Sequence, residues 1–163
     1  KMKIRKGKIK DIEAIWGLEK ENRIYHKKII SGKYQDLNKN WINDKSKNEW
    51  INELKKDLKK KKYFLLVVEY NNKIIGYLMG QFSKWEWSDN HPMSGKIEDI
   101  AVLKKYRKKG IAYELMKRFE EMAKKKRIKY LNLGLWIKNK PAYNLYKKRG
   151  FDKIYLSMAK KIQ

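Results

Sequence analysis

The chain has 163 residues and no cysteine. Length sets the expectation of a single domain over residues 1–163, able to bury roughly 68–70% of its unfolded surface, and the lack of cysteine excludes a disulfide framework, cysteine-ligated zinc, iron–sulfur clusters and a cysteine nucleophile. Lys plus Arg number 43 against 18 acids, a net charge of +25, which points first to an anionic partner.

The charge divides on inspection. Only 6 of the 43 bases are Arg, so a compositional preference for Lys accounts for much of it. Residues 100–163 are the more basic part, with 20 bases against 4 acids. His26 and His91 lie far apart, so no metal centre is expected. No apolar run approaches the roughly 20 residues of a membrane span, and no secretory signal pattern opens the chain. Lys1, ahead of Met2, is expected to be foreign to the natural start. The expectation is a soluble cytoplasmic protein with no membrane partner.

Met2–Arg5 reads as a short strand. Residues 11–30 read as a helix, with Ile12, Ile15, Trp16 and Leu18 at helical spacing and Asp11 as N-cap. Ser31–Asn43 is polar and reads as a loop or a short irregular helix. Residues 46–60 form a second helix: Ser46 and Glu49 fit a capping box, and Trp50, Ile51, Leu54 and Leu58 share a face. Tyr63–Tyr70 and Lys73–Phe82 read as a hairpin turning at Asn71-Asn72. A loop is expected over Ser83–Gly95, a strand over Lys96–Leu103 and a periodic helix over 110–126. Leu131–Ile137 reads as a strand interrupted by Gly134. A helix opening at Pro141 runs through Lys148 and stops at Gly150, and Phe151–Ala159 reads as a last strand.

Chemistry concentrates where the fourth strand meets the 110–126 helix. A basic loop, Arg107-Lys108-Lys109, leads into Gly110-Ile111-Ala112 at the helix start. First-turn N–H groups there have no intrahelical partners and sit at the positive end of the dipole, so phosphate binds well. Gly110 and Ala112 let an anion approach the backbone. On this motif alone, a phosphate site and an ordinary basic loop are equally good readings. A second segment, Asn139 to Phe151, carries Asn139, Ala142, Tyr146, Gly150 and Phe151 in the pattern N-x2-A-x3-Y-x3-G-F.

Together the two motifs resemble the GNAT superfamily of acetyl-CoA-dependent N-acetyltransferases, and the element order from Met2 to Ala159 agrees. The resemblance implies an α/β fold: a mixed, mostly antiparallel sheet flanked by helices, with central parallel strands splayed apart. It implies acetyl-CoA as cosubstrate and no metal. Arg107 to Ala112 would hold the pyrophosphate, although Lys108 stands where many members have Gly. The backbone of Ile100, Ala101 and Val102 would pair with the pantetheine arm, with Asn139 and Ala142 alongside. Gly134 fits either a close approach beside that arm or a bulge. Asn139 can also serve as an N-cap, and both roles can hold together. Tyr146 would protonate the departing thiolate, its alternative being a packed aromatic.

No residue suits a covalent acetyl intermediate, so direct attack of an amine on the thioester is expected. An alkyl ammonium has a pKa of about 10.4, so a base or a water relay is required. Glu98 and Asp99 are the acids at hand, and strand alternation predicts that they face opposite ways. The stretch IEDIAVLKKYRKKGIA resembles that of diamine and polyamine acetyltransferases, which implies Glu98 as the base, through water, and Asp99 as a cation anchor. The structural alternative pairs either acid with a Lys. The family grips its acceptor with segments corresponding to Tyr25–Asn43 and Ser83–Gly95. Trp85, Trp87 and His91 could form an aromatic wall there, or serve as loop packing or a dimer contact.

Three functions follow. The first is acetylation of a small amine or polyamine. The second is acetylation of a protein α-amine or Lys, which needs an open peptide groove. The third is a basic nucleic-acid-binding module, which needs aromatics interleaved with bases on one face, and the sequence has no such pattern. Family members are often dimers, so a homodimer is open.

Overall fold

A computed structural model describes residues 1–30, 32, 34–37 and 44–162. Among these the chain forms β1 (Lys3–Lys6), α1 (Ile12–Ile29), α2 (Asp44–Leu58), β2 (Tyr63–Tyr70), β3 (Lys73–Lys84), β4 (Met93–Val102), α3 (Ile111–Lys125), β5 (Tyr130–Leu133) and α4 (Lys140–Lys148). The five strands make one sheet in sequence order. Three junctions are antiparallel and β4–β5 is parallel. This is the mixed, mostly antiparallel sheet expected from the sequence. No helix among the described residues is long and apolar enough to cross a membrane.

The hairpin turns at Asn71 and Asn72, both with positive φ (48° and 58°). Asn tolerates that conformation, which matches the twist of the flanking strands. Of the expected loop Ser31–Asn43, Gln35–Leu37 forms a single 3-10 turn, and residues 31, 33 and 38–43 lie outside the described residues. α2 begins at Asp44, so Ser46 lies within its first turn instead of capping it. The Asp11 side chain makes no cap bond to α1. It accepts from Arg5 at 2.7 and 3.0 Å and from the Lys8 amide at 2.7 Å, because a guanidinium fork offers stronger partners than a helix amide.

The sheet separates two apolar layers. On one face, Ile15 and Leu18 of α1 pack on Leu65, Val67, Tyr77 and Ala101, and Ile51 and Leu54 of α2 pack on Ile12. On the other, Leu115, Met116 and Phe119 of α3 pack on Phe64, Leu66, Leu78, Phe82 and Ile97, with Tyr146 of α4 in the same cluster. Phe119 lies 4.7 Å from Phe64 and 5.5 Å from Phe82 between ring centroids. Gly95 makes this close packing of α3 on β4 achievable, since a Cβ there would stand 2.8 Å from the Phe119 ring.

Three boundaries differ from expectation. The loop between β3 and β4 shrinks to residues 85–92, because Phe82, Ser83 and Lys84 continue pairing with Gly95, Ser94 and Met93. β5 ends at Leu133, so Gly134 lies beyond the strand instead of interrupting it. Residues 151–162 do not form a strand. Their apolar alternation is real, yet Ile154, Leu156 and Met158 are 69–86% exposed. β-propensity describes fit to a pleated surface, and it yields a strand only where a neighbouring backbone is offered. Here the segment is held by side chains: Tyr155 stacks on Trp87 at 5.0 Å, Lys161 pairs with Asp36 at 3.4 Å, and Tyr34 Oη donates to the Ala159 carbonyl at 2.8 Å.

Leu115 is fully buried at the centre of the α3 layer. Leu115→Ala should lower unfolding stability by about 2–5 kcal/mol in a denaturant titration, through lost transfer energy and the cavity left behind.

Candidate active site at the end of β4

β4 runs into a 3-10 turn over Lys104–Tyr106 and then into the Arg107–Gly110 loop. The Arg107 Nε donates to the Val102 carbonyl at 2.8 Å, and its guanidinium lies 3.4 Å from Glu21. The Lys104 amide donates to the same Glu21 carboxylate at 3.1 Å. Arg107 therefore ties the loop back to the strand end. Lys108 (φ 61°) and Gly110 (φ 77°) are left-handed, which turns the chain abruptly into α3. No side chain caps α3, and its ladder begins with the Glu114 amide donating to Gly110 O at 3.0 Å. The Ile111, Ala112 and Tyr113 amides thus open the helix without ladder partners. A Cβ at Gly110 would meet nothing within 4 Å, so glycine serves the backbone angle and leaves this terminus open. Exposed Lys108 and Lys109 flank it, and the Lys109 ammonium sits 5.7 Å from the Tyr106 ring. The arrangement suits a bound phosphate.

Parallel pairing of β4 with β5 covers only Ser94–Ile97 against Tyr130–Leu133. Beyond Ile97, β4 keeps β3 on one edge, with Ile100 opposite Leu78, Ala101 opposite Tyr77 and Val102 opposite Gly76. Its other edge lacks a β5 partner. An extended polar ligand could pair there.

The pairing of β4 with β3 contains an irregularity. Met79 faces Asp99 while the next residue, Gly80, faces Ile97, so Glu98 is an extra residue in a bulge. The expected alternation of the two acids fails for this reason. Glu98 accepts from Gln81 Nε2, and Asp99 accepts from the Tyr77 hydroxyl. Tyr77 and Gln81 are four residues apart on one strand and share a face. Both acids therefore point to the α1 side of the sheet. Glu98 is also paired with Lys96 at 3.0 Å.

Asp99 joins a polar cluster that the sequence reading missed. Its Oδ1 accepts from Asn22 Nδ2 at 3.0 Å. The fully buried Tyr77 also contacts Glu19, with its hydroxyl 2.9 Å from Glu19 Oε2. Glu19 is buried and paired with Arg23 at 2.5 Å. Burial first, and then Asp99, push the Glu19 carboxyl up to about 8, against the pull of Arg23. A signal for the cluster existed. Glu19, Asn22, Arg23 and His26 continue at helical spacing the stripe that begins with Ile12 and Ile15, so they are polar residues where the core face continues.

α4 starts at Asn139, whose side chain accepts from the Ala142 amide at 3.3 Å and whose Nδ2 lies 3.5 Å from His26 Nε2. The N-cap reading of Asn139 is thus met. Tyr146 is buried edge-on against Phe151, with ring centroids 5.8 Å apart. Its hydroxyl is pushed well above the ordinary tyrosine range, first by burial and then by Asp99. Trp85 packs on Tyr130 at 6.1 Å, and Trp87 stacks on Tyr155 while staying largely exposed. The ring contacts of both tryptophans therefore tie down the 85–92 loop and the C-terminal segment. His91 Nδ1 lies 3.3 Å from the Trp85 carbonyl, within the same loop. Among the described residues, no group of three or more His, Asp or Glu is placed to hold a metal ion.

The chain is similar to known proteins in sequence and in fold. The acetyltransferase (GNAT) family matches residues 31–151. The N-alpha-acetyltransferase of Sulfurisphaera tokodaii is 32% identical over 106 residues, covering 60% of this chain and 61% of the relative. That of Saccharolobus solfataricus is 31% identical over 98 residues, covering 56% and 57%. The chain thus spans about three fifths of the length of these curated relatives. A solved structure described as a predicted acetyltransferase with acetyl-CoA, from Clostridium acetobutylicum, superimposes with a TM-score of 0.73 at 21% identity, covering 98% of this chain and 96% of that one. At that identity the likeness is one of fold.

The raised Glu19 carboxyl has a consequence for stability. Folded protein holds the proton up to about pH 8, whereas the unfolded chain releases it near 4.5. This contribution is complete below about 4.5 and is lost as pH rises through about 8. Denaturation curves from pH 4 to 9 should show a fall across that window that Glu19→Gln removes. His26, held low mainly by burial and pulled up by Glu19, adds an opposing trend at lower pH, so the comparison is read above about pH 7, where its imidazole is neutral in both states.

Proposed function

The chain belongs to the GNAT acetyltransferase family, and from that premise we propose that it transfers an acetyl group from acetyl-CoA to a primary amine by direct attack. Residues 1–163 act as a single domain in this reading. The observation that carries it is the junction of two features at one place. β4 loses its β5 partner after Ile97, and the same strand leads into the uncapped α3 terminus at Gly110. An extended thiol arm ending in phosphates matches that pair of features.

In this reading the Ile111 and Ala112 amides, with Lys108 and Lys109, hold the pyrophosphate. Arg107 fixes the loop through the Val102 carbonyl. The free edge of Ile100–Val102 pairs with the pantetheine amides, with Asn139 and Ala142 at the start of α4 beside it. The acceptor nitrogen attacks the thioester carbonyl, and the carbon–sulfur bond breaks. Tyr146 serves as the donor to the departing sulfur. Its raised pKa keeps the proton in place at neutral pH. The hydroxyl supports developing thiolate charge as a hydrogen bond before the proton moves. Glu98 and Asp99 supply the negative charge that holds and deprotonates the ammonium. Glu98 is held by Gln81 and Lys96, and Asp99 by Tyr77 and Asn22, which sets Asp99 against α1.

The acceptor we favour is a small amine or polyamine. Two paired acids in so basic a chain support it. So does the C-terminal segment, which links Tyr34 and Asp36 to Trp87 across the stretches that the family uses to grip its acceptor. A protein α-amine is the second reading, supported by the names of the two curated relatives. Acetyl-CoA consumption with spermidine and diamines, set against N-terminal peptides, separates them. Turnover of peptides alone would reject the small-amine reading.

Two substitutions test the machinery. Tyr146→Phe should lower kcat by about 10²-fold or more with acetyl-CoA affinity retained, and an unchanged kcat removes Tyr146 as the acid. Gly110→Val should weaken coenzyme A binding by about tenfold or more by calorimetry, because a β-branched residue is strained at φ 77° and crowds the open amides. Wild-type affinity in that variant would reject the pyrophosphate assignment.

A further inference from the structure

Tyr77 has one hydroxyl proton and two carboxyl neighbours. Glu19 Oε2 and Asp99 Oδ2 both lie within hydrogen-bond distance of its oxygen. An ionised carboxylate only accepts, so the hydroxyl can satisfy one of them. The second contact is a hydrogen bond only if that carboxyl carries its own proton and donates it to the phenol oxygen. The outer oxygens are already engaged: Glu19 Oε1 accepts from Arg23 and Asp99 Oδ1 from Asn22. The extra proton therefore belongs on the line Oε2–Oη–Oδ2. Glu19 itself is buried behind Tyr77 and is used by no step of the proposed reaction.

We propose that Glu19 and Asp99 form a carboxyl pair sharing one proton across the Tyr77 hydroxyl, and that Glu19 thereby sets the proton affinity of Asp99, which takes the proton from the acceptor ammonium. This rests on the acetyl-transfer reading above. In the working form both carboxyls are ionised. An N–H bond of the ammonium breaks and leaves its electron pair on nitrogen, while an O–H bond forms on Asp99. The Tyr77 hydroxyl then swings from Asp99 to Glu19, so that the new acid donates to Oη and Oη donates onward. After the amide product leaves, that proton is released to solvent and the pair is restored. No other group changes its bonding, and nothing is oxidised.

The groups facing the pair are Arg23 and His26 from α1, Tyr77 from β3 and, beside Asp99, Asn22 of α1 and Tyr146 of α4. Arg23 balances the single negative charge that the shared proton leaves. A lone carboxylate titrates about six pH units below an ammonium. A pair that binds its first proton near neutrality is a stronger base than a lone carboxylate and narrows that gap. Glu19 is in these terms a positioning residue, acting through Tyr77.

The test has two arms. Carbon-13 carboxyl NMR of the wild-type protein, without substrate, should show the Glu19 carboxyl holding its proton up to about pH 8, and Asp99→Asn should lower that step. A Glu19 step below about pH 5, or one that Asp99→Asn leaves unmoved, would overturn the pair. In the second arm, kcat/KM for whichever amine the panel identifies is followed from pH 5 to 10. The wild-type rate should rise through the pair's upper step. Glu19→Gln should move that limb down by at least one pH unit and cut the limiting rate about tenfold, with the KM for acetyl-CoA unchanged. Tyr77→Phe, which removes the bridge, should shift the limb the same way, and Glu19→Asp should restore part of it. An unmoved profile in folded Glu19→Gln or Tyr77→Phe overturns the inference. Absence of acetyl transfer by wild type would overturn the enzymatic reading instead, while the NMR arm still decides whether the pair exists.

Discussion

At Glu98, β4 carries one residue more than β3 can pair, and the site is arranged around that excess. The bulge puts two consecutive acids on the α1 side of the sheet, where strict alternation would have sent one into the α3 layer among Phe64, Phe82 and Phe119. A carboxylate there would be desolvated without a partner, which a packed core does not tolerate. On the α1 side Asp99 finds Tyr77 and Asn22, and Glu98 finds Gln81 and Lys96. The β4–β5 pairing stops at Ile97, immediately before the same residue. The free strand edge and the paired acids thus begin at one point of the chain.

Below the bulge, the core admits charge under strict conditions. Glu19 and Arg23 pair within α1, and Tyr77 spans from Glu19 to Asp99. Such a group is costly if one partner is removed, because the other is left buried and uncompensated. In the shared-proton arrangement we propose, the position of that proton depends on which carboxyl the Tyr77 hydroxyl faces. Tyr146 is drawn into the same electrostatics through Asp99, so the phenol on α4 responds to the charge on β4.

The net charge of +25 takes on a different meaning at this point. Much of it is Lys on the surface. Lys108 and Lys109 stand apart because they flank an uncapped helix terminus, and Arg107 because it anchors the loop that forms it. A charge matters here according to the backbone groups it accompanies. The acids follow the same rule: of 18, the four named in the site or at its rim, Glu19, Glu21, Glu98 and Asp99, each hold a specific partner across the chain or within one helix.

The sequence by itself determined most of the elements and their order. Helical and two-residue periodicities are local, and they gave α1, α2, α3, the hairpin at Asn71-Asn72 and β4 within a few residues. The motifs at Gly110 and at Asn139–Phe151 were legible together, through their resemblance to the acetyltransferase family; the Gly110 helix start alone reads equally as an ordinary basic loop. Tertiary structure decided the rest. Glu98 became a bulge because its partner strand is one residue short, which depends on register across the hairpin. Phe151–Ala159 has a strand's alternation, yet no strand among the described residues pairs with it. Glu19 was hidden inside a helical stripe, and its importance arises from Tyr77 and Asp99, 58 and 80 positions later, meeting it across the sheet. Local pattern fixes which face a residue presents; only packing decides what that face meets.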